Sequence, residues 1–165
     1  MKLAILALAA FAGAAGAAPS ASLAPAACGV RNTLWIEHYS AQLYVPAGKS
    51  AAAVGDPSQP KLLRMRILNP VLMPPDIPGK WREALEPVLD VETMERLRAT
   101  YRELQEGDTV EVDYEPQAGI ALRLNDRTVA KVAGHAAIDA LIAAWTSGVP
   151  LDKKIAGTVA RNRCA

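Results

Sequence analysis

The stretch from Asp108 to Val132 constrains the fold more than any other part of the chain. Val110, Val112 and Tyr114 alternate with Glu111 and Asp113. After Pro116-Gln117-Ala118-Gly119, the residues Ile120, Leu122 and Leu124 alternate again. Asn125-Asp126 then turns the chain into a third short run, Thr128 to Val132. A period of two gives each run one apolar face, because successive side chains point to opposite sides of a strand. Links this short join antiparallel neighbours, so the region is expected to be a meander with one face in need of cover.

The upstream sequence supplies more sheet and the first cover. Thr33 to Val45 is rich in aromatic and β-branched residues and stops at Pro46, which predicts a long strand. One face would carry Trp35, Glu37, Tyr39, Ala41 and Leu43. Residues 46–60 read as a loop and Lys61 to Leu68 as a second strand. Asn69 to Gly79 holds four prolines and reads as an extended connector. Trp81, Ala84, Leu85, Val88 and Leu89 then form a helical stripe, expected to end or kink before Pro87. A second stripe, Met94, Leu97, Tyr101 and Leu104, ends at Gly107. Downstream, Ile138, Leu141, Ile142 and Trp145 mark another helix, and Pro150 opens a final one to about Asn162. The expected class is α+β: a mainly antiparallel sheet with a layer of helices on one face.

The N-terminus is read as a secretory signal. Met1-Lys2 precedes an uncharged apolar run from Leu3 to Phe11 that fades into small residues, with Ala15 and Ala17 at the −3 and −1 positions. The run is well short of the roughly 20 residues that cross a bilayer. The expected organisation is a signal peptide over 1–17, a flexible Ala/Pro/Ser-rich lead-in over 18–28 and one domain over 29–165. No transmembrane segment is expected once the signal is removed. The expected location is periplasmic or secreted.

In an oxidising compartment the two cysteines, Cys28 and Cys164, most simply form one disulfide. Closing so long a loop is worth about 4–5 kcal/mol in the loop-entropy account. A lipidated Cys28 or two free thiols are the alternatives. Pro25-Ala26-Ala27 lacks the large aliphatic residue expected three before a lipidated cysteine.

Charge and motifs exclude several function classes. Without Lys2 the chain carries 17 basic and 17 acidic residues with no basic cluster, so nucleic acid is not an expected partner. There is no His-Glu-x-x-His, Cys-x-x-Cys, phosphate loop or nucleophile elbow. His38 and His135 have no second ligand at metal spacing, so neither a metal nor a cofactor is expected. His38 reads as a structural strand residue, and His135, beside Gly134, as a helix-start residue.

A resemblance takes the reading further. Gly29-Val30-Arg31, with Tyr39 eight residues on and Leu43-Tyr44-Val45-Pro46 closing the strand, resembles the opening strand of bacterial chalcone isomerase-like proteins. Lys80-Trp81-Arg82-Glu83-Ala84-Leu85, Gly107-Asp108-Thr109-Val110, Leu124-Asn125-Asp126, Gly134-His135 and Pro150-Leu151-Asp152 follow in the family's order. The likeness spans roughly residues 29–160. It implies a ligand cleft between the sheet and its helices. In plant relatives that cleft closes a chalcone to a flavanone. Non-enzymatic relatives use it to bind fatty acids, with an arginine facing the carboxylate.

Carried onto this chain, that arginine is Arg31. The enzymes' strand threonine falls on Tyr39, although the segment between Arg31 and Tyr44 is shorter here. Their helical tyrosine and asparagine fall on Trp81 and Val88, and a late-helix threonine falls near Ala144, with Thr146 two positions on. Most hydrogen bonds that would polarise an enone are thereby lost. The expected ligand-binding residues are Arg31, Tyr39, Trp81 and Tyr44, with a small amphipathic carboxylate such as a fatty acid as ligand and no chalcone cyclisation. The alternative is an isomerase or intramolecular lyase acting on another small molecule. Arg31 can also be read as a structural cation paired with Glu37 or another acid, and the tyrosines as core or cleft walls.

The disulfide expectation is checked by alkylating the unreduced, unfolded protein, in which neither cysteine should react; labelling of both would show that the bond does not exist.

Overall fold

The computed structural model describes residues 22–33, 35–71 and 73–146. Six strands form one sheet in sequence order: β1 (Leu23–Thr33), β2 (Ile36–Pro46), β3 (Lys61–Ile67), β4 (Thr109–Glu115), β5 (Gly119–Leu124) and β6 (Arg127–Val132). Every neighbouring pair is antiparallel. Helices α1 (Gly79–Leu85), α2 (Val91–Arg102) and α3 (Ala136–Thr146) complete the domain, with a 3-10 turn at Ala51–Gly55. The expected α+β architecture is the one observed. No helix among the described residues is long and apolar enough to cross a membrane.

Registers across the sheet explain why it is two-faced. Ala27 pairs with Leu43, Leu43 with Leu63, Leu63 with Val112, Val112 with Leu122 and Leu122 with Ala130. This one row crosses all six strands, and each of its side chains is buried. The adjacent row of alternate side chains runs through Gln42, Arg64, Glu111 and Arg123. There Arg64 Nε lies 2.7 Å from Glu111 Oε1, and Arg123 Nη2 lies 3.0 Å from Asp113 Oδ2. One face is hydrocarbon and the other an ion-pair lattice, so the helices must collect on the first.

Turn chemistry sets those registers. Asn125 and Asp126 adopt φ of 46° and 67°, the left-handed pair that a two-residue hairpin requires. The Asn125 side chain accepts from Thr109 N–H at 2.8 Å and donates to Asp108 at 2.7 Å, tying the β5–β6 hairpin to the start of β4. Gly119 has φ of +80°, and a Cβ there would lie 2.5 Å from the Val132 carbonyl oxygen, so only glycine fits. At Gly29 the bare backbone admits the Trp145 indole, which would stand 3.3 Å from a Cβ.

Two details depart from the sequence expectations. The lead-in expected over 18–28 is part of the sheet from Leu23 onward: Leu23 to Cys28 pair with Pro46 to Gln42 as the outer strand β1. An outer strand needs partners on one side only, which tolerates Pro25 and the irregularity between Pro25 and Ala27. Trp35, expected within a strand, instead sits in the β1–β2 turn and is 82% exposed. The signal peptide over 1–17, the final helix from Pro150 and Cys164 lie outside the described residues. Cys28 lies on β1, opposite Gln42.

A buried cation locks one end of the helix layer. Lys61, only 1% exposed, places Nζ 2.8 Å from Asp139 Oδ1 and 2.5 Å from the Val54 carbonyl oxygen. The Tyr114 ring lies 5.3 Å away, and His135 Nδ1 meets the other Asp139 oxygen at 2.6 Å. This cluster ties β3, the 3-10 turn and α3 together. Asp139→Asn leaves the ammonium without its counter-charge and should cost about 2–3 kcal/mol, at the lower end for a half-broken buried pair because Asp139 is partly exposed. The double variant Lys61→Met/Asp139→Asn should recover much of that loss, both read by urea denaturation.

Candidate functional site

The candidate site lies between the apolar sheet face and the helices. Tyr39, Met65, Ile67, Val110, Val112 and Leu122 form its floor. Trp81 and Leu85 of α1, Leu97 and Tyr101 of α2, Leu141 of α3 and the connector residues Met73 and Ile77 roof it. The space measures about 720 Å³ with its open mouth included, within the range of small-molecule sites and room for a medium-length acyl chain or a small aromatic group.

The roof follows from local sequence. Pro78 precedes the first helical residue of α1, and the helix closes at Leu85, two residues before Pro87. Asp90 caps α2 by accepting from Thr93 N–H at 2.7 Å and Thr93 Oγ1 at 3.0 Å. The capped helix turns its Met94–Leu97–Tyr101 stripe toward the core. α1 packs on α3, which fixes the roof over the sheet.

Three polar groups stand near one another in or beside this apolar space. Tyr39 lies in its wall, with its ring edge-on to Trp81 at 5.9 Å between centroids. Arg31 is the cross-strand partner of Tyr39 and is exposed. Burial raises the Tyr39 phenol above its ordinary value, and the Arg31 guanidinium partly opposes that shift. Tyr101 also lines the cavity, and its hydroxyl is shielded from solvent with no hydrogen-bond partner among the described residues. Burial, reinforced by the neighbouring Tyr39 and Asp76, pushes this phenol up to about 12.

The sequence-predicted residues therefore divide. Arg31, Tyr39 and Trp81 come together, Arg31 beside the wall and the other two within it. Tyr44 does not join them, which corrects its expected role. It falls in the opposite parity of β2, where its hydroxyl donates to Gln42 Oε1 and the Arg64 guanidinium covers its ring at 5.2 Å. The pairing of Arg31 with Glu37 is not formed, and Arg31 has no ion-pair partner among the described residues. Val88 packs against the core, and Ala144 does not line the cavity. His38 is buried on β2, its Nδ1 unpartnered and its carbonyl accepting from Leu68 and Asn69 N–H. His135 precedes α3 and is engaged by Asp139. Tyr101 was read from sequence only as a member of a helical stripe. Its one distinguishing signal is a hydroxyl in an otherwise aliphatic stripe.

Chemically, the site offers dispersion contacts within an apolar cavity, two phenols that stay protonated at neutral pH and a guanidinium beside them. The described lining contains no carboxylate and no imidazole. No cluster of three or more candidate metal ligands occurs among the described residues.

Tyr101 should ionise later than an ordinary phenol. Its folded value lies above the unfolded one near 10, so its contribution to stability is complete below about pH 10. That contribution is lost as pH rises from about 10 toward about 12. An ultraviolet difference titration of wild type against Tyr101→Phe should place the missing phenolate band near pH 12; a band near pH 10 would show the hydroxyl to be hydrated.

Comparison with known proteins agrees with this layout. No curated protein sequence matches the chain. The crystal structure of a fatty-acid binding protein from Arabidopsis thaliana is similar in fold, with a TM-score of 0.52 at 14% identity, covering 83% of this chain and 87% of that one. The model of the family described as chalcone isomerase-like matches residues 17–156. The chain belongs to the chalcone isomerase-like family.

Proposed function

We propose that this protein is an exported, bacterial member of the family that binds a small amphipathic carboxylate, of fatty-acid type, without cyclising a chalcone. The observation that carries the reading is an apolar cavity with polar groups gathered at its wall: the Tyr39 phenol in the wall and, across the strand pair, an Arg31 guanidinium with no ion-pair partner among the described residues. A carboxylate satisfies that guanidinium by a charge-assisted pair and accepts from the phenol, while its chain fills the hydrocarbon space. Trp81 closes the wall beside Tyr39. The fold shared with a plant fatty-acid binding protein supports the same reading.

Export rests on residues 1–17, which carry the charge, apolar run and small-residue site of a secretory signal. A periplasmic or secreted location follows, and with it the Cys28–Cys164 disulfide. An isomerase would need a group to move a proton, and the described lining has no carboxylate or imidazole and holds its phenols in their neutral form.

Native mass spectrometry of the exported protein, followed by organic extraction, should recover a bound carboxylic acid. Medium-chain acids should raise the melting temperature. Arg31→Ala should weaken their binding about tenfold or more while leaving the fold intact, because a charged hydrogen-bond partner is removed from an exposed strand position. An empty protein whose melting temperature no acid shifts would overturn the proposal.

A further inference from the structure

The cavity has a rim and a blind end. Tyr39, Met73, Trp81 and Tyr101 line it while remaining half-buried, which marks the rim. Leu85, Val112, Leu122 and Leu141 line it as well, yet all four are buried. Val112 and Leu122 are cross-strand partners on β4 and β5, and above them α1 packs on α3. Leu141 is the one side chain that α3 contributes to the described lining. It has nowhere to retreat. Asp139, two residues earlier on α3, holds the buried Lys61 ammonium at 2.8 Å and so pins the helix to β3. Ile138 and Ile142 on either side are buried in the core. A close-packed wall of this kind resists being pushed back by even one extra methylene.

We propose that Leu141 is a specificity-determining residue, the stop that sets the length of acyl chain the cavity accepts. This deepens the carboxylate-binding reading and rests on it. With the head at Arg31 and Tyr39, the tail runs obliquely over a floor that passes from Tyr39 through Met65 and Val110 to Val112 and Leu122. The registers give its length. Tyr39 lies opposite Ile67 of β3, and Val112 lies opposite Leu63, four residues away on the same strand. Four residues at about 3.4 Å, crossed with the three strand spacings from β2 to β5 at about 4.8 Å, make a diagonal of about 20 Å. A contact distance of about 4 Å at each end leaves about 12 Å for the tail. An extended hydrocarbon advances roughly 1.25 Å per carbon along its 1.5 Å bonds, so about ten carbons fill that span. The preferred ligand is therefore an acid of about ten to twelve carbons. Arg31 selects the class of ligand, and Leu141 selects the member.

The test is isothermal titration of wild type, Leu141→Ala and Leu141→Val with straight-chain saturated acids of eight to sixteen carbons, each below its micellar concentration. In wild type each added methylene should tighten binding about threefold to fourfold until the limit is reached, and affinity should fall beyond it. Leu141→Ala removes three carbons from the end wall. It should move the limit about two to three carbons longer while leaving octanoic acid within about twofold of wild type. Leu141→Val removes one carbon and keeps most of the core volume. It should move the limit by about one carbon, which preserves the test should the larger truncation fail to fold. A limit that stays at the wild-type length in a folded variant would overturn the inference and leave the carboxylate reading standing. So would a wild-type affinity that climbs without a break to sixteen carbons. If wild type binds none of these acids, the carboxylate reading itself fails and the inference falls with it.

Discussion

The structure depends on one row of apolar side chains, Ala27, Leu43, Leu63, Val112, Leu122 and Ala130, that crosses all six strands. Hydrocarbon on one face of a sheet is tolerable only if something removes it from water. Because the opposite face is a lattice of Arg64, Glu111, Arg123 and Asp113, the helices have a single side on which to collect. A slip of one residue in any strand would exchange the two faces, so this row also fixes register. The turns at Gly119 and at Asn125-Asp126 serve the same end by admitting only one hairpin geometry each.

Cover and cavity follow from how the helices are held. Near Lys61 and Asp139 the layer is tied down by a buried ion pair that joins β3, the 3-10 turn and α3. Around Tyr39, Met65 and Ile67 the roof is built from α1, α2 and a proline-rich connector, and the side chains do not close the gap. The same apolar face thus serves as core where α3 packs and as cavity floor under α1 and α2. Arg31 shares this parity of the sheet at the position where the outer strand pairs with Tyr39, so a charge is placed beside hydrocarbon without being buried in it.

Much of the fold was legible because local rules and tertiary needs agree. The alternation over Val110–Tyr114 and Ile120–Leu124, the Asn125-Asp126 turn and the helical stripes at Trp81 and Met94 each carry their own period, and each element is present. The outer strand was not legible. Leu23 to Cys28 reads as a lead-in because alanine and proline lack strand propensity, and only the ladder with β2 makes a strand of them. Tyr44 was misplaced for a related reason: its resemblance to a family motif locates it along β2 but does not say which face it takes. Parity relative to Tyr39 puts the two on opposite sides.

What the sequence determined by itself is the class of the fold and the order of its elements from β2 onward. These follow from periodicity and short motifs, which are local. The tertiary structure alone decided which tyrosines meet. Tyr101, sixty-two residues from Tyr39 on a different element, becomes its neighbour only when α2 packs over the sheet. The same packing strips its hydroxyl of water and leaves it without a partner. Proximity and desolvation are properties of the packed chain, and no reading of a helical stripe could contain them.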